Sequence, residues 1–198
     1  MRFNVQKAKL TLTVITHKVN MSDSINKTVA TQLKKIRANK GWSLDITSKN
    51  CGVSKAMLGQ IERGESSPTI AKLWKIATGF ELPLSDFLGQ KSPLDVHTKG
   101  FKQDQTISIE TIFEYDPKTG IEMFELYFAV GHEQHSEAHQ IGVIEHVVVT
   151  SGCMEYFAGG QWKTLNTGEK AKFNADQPHI YRNTGDIPLR FFNIIHYS

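Results

Sequence analysis

The sequence predicts a multi-domain chain, α then β: a five-helix head followed by an antiparallel barrel or sandwich. Three observations carry that prediction. Apolar residues first recur at helical spacing, as in Val29-Leu33-Ile36 and Ile70-Leu73-Trp74-Ala77. A polar stretch holding Pro93 and Gly100 follows. Beyond it the period changes to alternation in short runs separated by turn residues. A chain of 198 residues suits one or two domains, each able to bury a core.

Residues 1–20 are the least patterned. KLTLTVIT alternates like a strand or a loose tail, and Lys9, Thr11 and Thr13 interrupt any secretory apolar core. Met21 opens a more usual beginning, so residues 1–26 are expected to be a disordered extension. The head is expected over 27–89. Its first helix runs from about Lys27 to Asn39, Gly41 ends it, and Trp42 plugs the space behind it. Ser43 to Gly64 reads as two short helices around a tight turn. Ser43 caps the first, Gly52 takes the positive φ of the turn, and Ser54 caps the second. In that second helix Leu58 and Ile61 point inward and Met57 lies at the margin, leaving Lys55, Ala56, Gly59 and Gln60 outward. Ser67-Pro68-Thr69 starts another helix, which Gly79 closes, and Pro83 to Leu88 makes a short fifth.

Residues 90–104 are expected to be a linker, and 105–198 a second domain. Strands are predicted at 106–115, 121–130, 143–151, 154–158, 161–165, 170–174, 179–183 and 189–196, with a hairpin turn at Gly159-Gly160. The HEQHSEAH tract, His132 to His139, reads as a loop of solvated histidines, and His146 should point out of the barrel. Cys153 reads as packed, and Tyr127, Phe128, Phe191 and Phe192 as core and interface residues.

Composition sets bounds. Hydrophobic content of 39% and charged content of 22% are ordinary for a globular protein, and no apolar run is long enough to span a membrane. Two distant cysteines, Cys51 and Cys153, make no disulfide framework and fit a reducing, cytoplasmic setting. The net charge of +3 is unevenly spread. Residues 21–90 carry ten basic and six acidic side chains, and residues 91–198 carry nine basic and fourteen acidic. Such a basic front suits a chain that meets phosphate there.

The run GVSKAMLGQIERGESSPTIAKLWKIATG, Gly52 to Gly79, resembles the Cro/C1-type (XRE) helix-turn-helix regulators in its helical frame, its Glu62-Arg63-Gly64 turn and its Ser-Pro dipeptide. Thr47 and Ser48 depart, standing where the family usually has leucine and alanine. The resemblance implies a double-stranded DNA operator read by the second helix, with Ser43, Ser54, Lys55, Ala56, Met57, Gly59, Gln60, Arg63 and Ser66 at the DNA. Lys55 and Gln60 would read bases, and Ser43, Arg63 and Ser66 would meet phosphate, Arg63 alternatively pairing with a nearby carboxylate.

HQIGVIEHVVVTSG (139–152) and GEKAKFNADQPHIYRN (168–183) resemble the two motifs of the cupin family, double-sheet jelly-roll barrels. Glu145 keeps its spacing to Gly152, and His179 and Asn183 give the H-x3-N ending. His139 falls on the first histidine of the family's HxH, whereas Ile141 replaces the second. On one extended strand His139, Ile141, Val143, Glu145 and Val147 would share the interior face. The resemblance leaves two readings: His139, Glu145 and His179 hold a divalent metal (Fe, Mn, Zn or Ni), or they line a metal-free effector pocket with Ile141, Tyr181 and Asn183.

Together the resemblances imply a DNA-binding transcriptional regulator with a cupin sensor for a small-molecule effector. A homodimer through the barrel is expected, because apolar strands such as FELYFAV (124–130) need covering. The alternative is a non-haem metal-dependent cupin enzyme of oxygenase or epoxidase type with a helical head.

Overall fold

The computed structural model describes residues 21–89 and 106–197, and the expected tail and linker fall outside them, apart from the tail's last six residues. Five helices come first: α1 (Met21–Asn39), α2 (Leu44–Cys51), α3 (Lys55–Glu62), α4 (Ile70–Phe80) and α5 (Ser85–Leu88). The first therefore begins six residues before the head's expected edge at 27. Val29, Leu33, Leu58, Ile61, Ile70, Leu73, Ile76 and Phe80 fill the centre. Arg37 of α1 forks onto Glu62 of α3, with Nε and Nη2 donating at 2.6 and 2.9 Å. Trp42 stacks on Phe80 with ring centroids 4.8 Å apart, joining the α1–α2 turn to α4.

Two departures from expectation have local causes. Thr47 is fully buried where leucine was the usual residue, and its hydroxyl is satisfied by donating to the Ser43 carbonyl at 2.9 Å. Gly79 does not close α4, which runs on to Phe80 and ends with Glu81 in the left-handed region at φ 58°. Instead, Gly79 lets α2 approach: a Cβ there would lie 2.5 Å from Cys51 Cα and 2.9 Å from the Asn50 carbonyl oxygen.

Nine strands follow: β1 (Ile107–Asp116), β2 (Ile121–Phe128), β3 (Glu133–Ser136), β4 (Ile144–Ser151), β5 (Cys153–Ala158), β6 (Gln161–Asn166), β7 (Lys170–Asn174), β8 (His179–Asn183) and β9 (Leu189–His196). They form a five-stranded sheet, β1-β2-β9-β4-β7, and a four-stranded sheet, β3-β8-β5-β6. Every strand pairing among the described residues is antiparallel, the pattern of a jelly roll. Gly159 and Gly160 both have positive φ, as a two-residue hairpin turn requires. Strand β3 lies inside the stretch expected to be a loop. Phe124, Leu126 and Phe128 are buried within the chain itself, so FELYFAV supplies no need for a second copy.

The head is docked on the barrel through one continuous apolar cluster. Trp74 of α4 meets Phe124 of β2 edge-on, with centroids 6.0 Å apart. Beside them, the fully buried Glu122 carboxylate accepts from the Leu84 and Ser85 backbone N–H groups, each at 3.1 Å, and from the Tyr197 hydroxyl. The barrel thus caps a helix of the head. Burial pushes the Glu122 carboxyl up, and those hydrogen bonds only partly oppose it.

Candidate functional site

The recognition region is built from two capped helices. Ser43 Oγ accepts from Ile46 N–H at 3.2 Å, and Ser54 Oγ accepts from Met57 N–H at 3.3 Å. Each cap satisfies a free donor at the start of its helix. Gly52 closes α2 in the left-handed region at φ 61°. The turn this forms leaves Lys55, Ala56 and Gln60 of α3 exposed. Lys55 Nζ is held by Asp45 Oδ2 at 2.8 Å, an exposed pair. Arg63 forks onto Glu65, the alternative expected for it. Met57 is half-buried and accepts from Ser66 Oγ at 3.7 Å. Gly59 is buried rather than outward, because the Arg63 side chain lies over it.

The second site lies between the two sheets. Glu145 projects inward from β4 among Val143, Val147 and Val149, as strand alternation requires. His179 and Tyr181 reach it from β8 in the opposite sheet, and Asn193 from the neighbouring β9. His139 enters from the loop before β4, which is pinned where its backbone N–H donates to the Ala175 carbonyl at 2.9 Å. Gly142, at φ 96°, turns that loop, so residues 139–143 are not an extended strand. That turn corrects one expectation: Ile141 is 92% exposed and lines nothing. Asn183 is buried, but its Nδ2 donates to the Phe128, Ala129 and Ile187 carbonyls, which makes it a backbone clamp. Tyr181 does reach the site, its hydroxyl donating to Glu145 Oε2.

Glu145 Oε1 faces two ring nitrogens, His139 Nε2 at 2.9 Å and His179 Nε2 at 3.3 Å, and Oε2 accepts from Asn193 Nδ2 at 2.9 Å. Burial alone would push the Glu145 carboxyl up. The charge of His179 and the hydrogen bond from His139 outweigh burial and hold it well below the usual carboxylate range. For His179, burial works downward, but the Glu145 charge and the Gln177 carbonyl raise it overall.

The donor set fits a divalent metal. His179 Nδ1 lies 3.0 Å from the Gln177 carbonyl, which fixes the proton on that nitrogen. In the neutral ring Nε2 then carries a lone pair towards a carboxylate, and among the described residues this buried atom has no hydrogen-bond partner. Either a second proton or a cation resolves that opposition. The ligand atoms of His139, Glu145 and His179 lie within 4.8 Å of one another, a two-histidine, one-carboxylate set.

His139 also faces the other way: its Nδ1 lies 3.3 Å from Thr78 Oγ1 of α4. Lys75, one turn earlier on α4, pairs with Glu137 at 2.9 Å. Sequence reasoning missed Thr78, Lys75, Glu122, Glu137 and Asn193. Alternation offered a signal for two of them: Glu122 shares a face with Phe124, and Asn193 lies between Phe191 and Ile195 on the inward face. Nothing in the sequence marked the α4 pair.

A capped recognition helix on a jelly-roll barrel with an inward histidine–carboxylate cluster defines the class of DNA-binding regulators that carry a cupin module. Residues 33–87 match the helix-turn-helix family and residues 124–195 the cupin-domain family. The chain is 45% identical over 177 residues to the HTH-type transcriptional regulator SutR of Escherichia coli K12, covering 88% of this chain and 98% of that one. It is 25% identical over 167 residues to the E. coli regulator PuuR, covering 77% and 86%. The crystal structure of an HTH_3 family transcriptional regulator from Vibrio cholerae superposes with a TM-score of 0.82 at 44% identity, over 89% of this chain and 99% of that one. The chain belongs to the XRE-type helix-turn-helix transcriptional regulators with a C-terminal cupin domain. Its relatives are transcriptional regulators, and so is this chain. Among the described residues no helix is long and apolar enough to cross a membrane.

Proposed function

We propose that this regulator is a sensor in which the state of the buried barrel site sets the placement of the head on its operator. The observation that carries this reading is the His139 ring, which touches Glu145 with one nitrogen and Thr78 of the head with the other. A change at the barrel site therefore acts directly on α4, which packs on α2 of the DNA-reading pair. Coupling of this kind needs the bound state to prefer one head placement. His139, Glu145 and His179 are the residues that would hold a divalent metal, whose charge would draw the three side chains around one centre. Lys55 and Gln60 read bases, with Ser43, Ser54, Ala56, Met57, Arg63 and Ser66 around them at the DNA. Gly59, covered by the Arg63 side chain, is not among them.

The test uses the full chain and an operator selected from random-sequence DNA. Metal-stripped and metal-loaded protein should differ in affinity, and His179→Ala should lose both the metal and the difference. In Thr78→Val the metal should remain while the difference shrinks. Equal affinity with and without a bound metal would end the reading.

A homodimer through the barrel completes the proposal, since one head offers few base contacts and paired heads read two half-sites. Ile112, Phe113 and Ile121 present exposed apolar surface on β1 and β2 that suits this role. Sedimentation should give a dimer at micromolar concentration, and a monomer both free and on DNA would refute it.

A further inference from the structure

Space that can take an effector lies between head and barrel. Inside the barrel, the rings of Tyr156, Phe173, Tyr181 and Phe191 pack in sequence beside His179, with centroids between 5.4 and 6.1 Å apart. Two adjoining cavities instead open where α4 faces the β3 end of the barrel. The outer one has a volume of about 590 Å³ and the inner one about 190 Å³, and both are lined by Lys75, Thr78 and Glu137. His139 lies in the wall of the inner cavity.

The chemistry of that wall favours a negative guest. Lys72 and Lys75 line the inner cavity with Glu137 as the single carboxylate among its lining residues. Lys40 and Lys49 add positive charge to the outer cavity, against Glu81. A guest accepting from Lys72 and Lys75 would compete with Glu137, whose pairing with Lys75 is itself a head–barrel contact.

We infer that this cleft binds a small anion, a carboxylate or an oxyanion, through Lys75, Lys72 and the Thr78 hydroxyl. The inference rests on the sensor reading above and gives it a location and a ligand class. The guest replaces Glu137 as the partner of Lys75, and its acceptor atoms sit beside His139, at the junction of barrel site and head. The size of the inner cavity restricts the part it encloses to a few heavy atoms, with the remainder of a larger guest in the outer cavity.

The experiment measures thermal unfolding of the full chain in sodium malonate and in inorganic phosphate, each against sodium chloride at matched ionic strength and pH. The expected result is a saturable rise in Tm beyond that of chloride with at least one of the two. Malonate alone assigns carboxylates, and phosphate alone assigns oxyanions. Lys75→Met and Lys72→Met should each weaken binding about tenfold or more, the usual effect of losing a hydrogen bond to a charged group. A rise no larger than that of chloride overturns the site, as does unchanged binding in both variants. DNA affinity is then compared with and without saturating anion. Binding that is lost in the variants supports the site even where DNA affinity is unmoved, and that second result refutes the sensor reading alone.

Discussion

Replacing Glu122 with alanine tests whether head and barrel form one cooperative unit. The substitution leaves three buried donors without their acceptor: the Leu84 N–H, the Ser85 N–H and the Tyr197 hydroxyl. Leu84 and Ser85 are 1% and 8% exposed, so water replaces the carboxylate poorly. Each orphaned donor costs about 1–3 kcal/mol. Against this stands the relief of no longer burying a carboxylate, whose cost shows in the upward shift of its pKa. The net expectation is a loss of about 2–4 kcal/mol in urea unfolding of the full chain. The head signal, from Trp42 and Trp74, should also separate from the barrel signal. Glu122→Gln keeps one acceptor and the volume, and should cost about half as much. The pH dependence has a definite sign. A carboxyl whose folded pKa is raised contributes most when protonated, below its ordinary range, and that contribution is lost as pH rises through the folded value. The deficit of Glu122→Gln relative to wild type should therefore narrow as pH rises from the carboxylate range to neutrality. A single unfolding transition with stability within 0.5 kcal/mol (roughly the range of ordinary surface substitutions) in Glu122→Ala would refute the argument.

Three further outcomes are expected. Gln60→Ala should cost about 1–3 kcal/mol on the operator and relax the preference at one base pair per half-site; an unchanged ratio of specific to scrambled binding would remove α3 from base reading. Gly79→Ala should destabilise the full chain by about 1–3 kcal/mol, because the added methyl meets the α2 backbone at Cys51 rather than a flexible side-chain end. Neutral stability in that variant would show that α2 and α4 can part freely. Burial pushes the Cys51 thiol up to about 11, with Lys40 only partly opposing it. At pH 8 iodoacetamide should then label half-exposed Cys153 while Cys51 waits for unfolding, and equal labelling rates in native protein would contradict the packing.

Periodicity made the order of elements legible, and cap chemistry located α2 and α3. Ser43, Gly52 and Ser54 act locally, and each does what its type suggests. Errors arose where a tertiary neighbour decides. Strand β3 carries Glu, Gln, His and Ser, with no apolar alternation, and it is a strand because β8 pairs with it. Ile141 was placed inside by extending a strand period through Gly142, where a turn intervenes. Gly79 looked like a helix stop, but its role is to admit another helix, and the sequence does not say which surfaces touch. The barrel site was half visible: His139, Glu145 and His179 follow the motifs, while Asn193 and Thr78 arrive from distant segments. The docking of head on barrel left one mark, a glutamate on an inward strand position, whose partners lie 37, 38 and 75 residues away.

That separation bears on how the protein is made. A ribosome releases the head first, and domains commonly fold in the order they emerge. Here α4 and α5 leave the tunnel before Glu122 and Phe124 exist, and Tyr197 arrives later still. Until then the α5 amide donors face solvent and Trp74 lacks its aromatic neighbour. A nascent or prematurely stopped chain should therefore carry a loosely held head with a weak grip on DNA. Regulation by this chain would begin only when its barrel is finished.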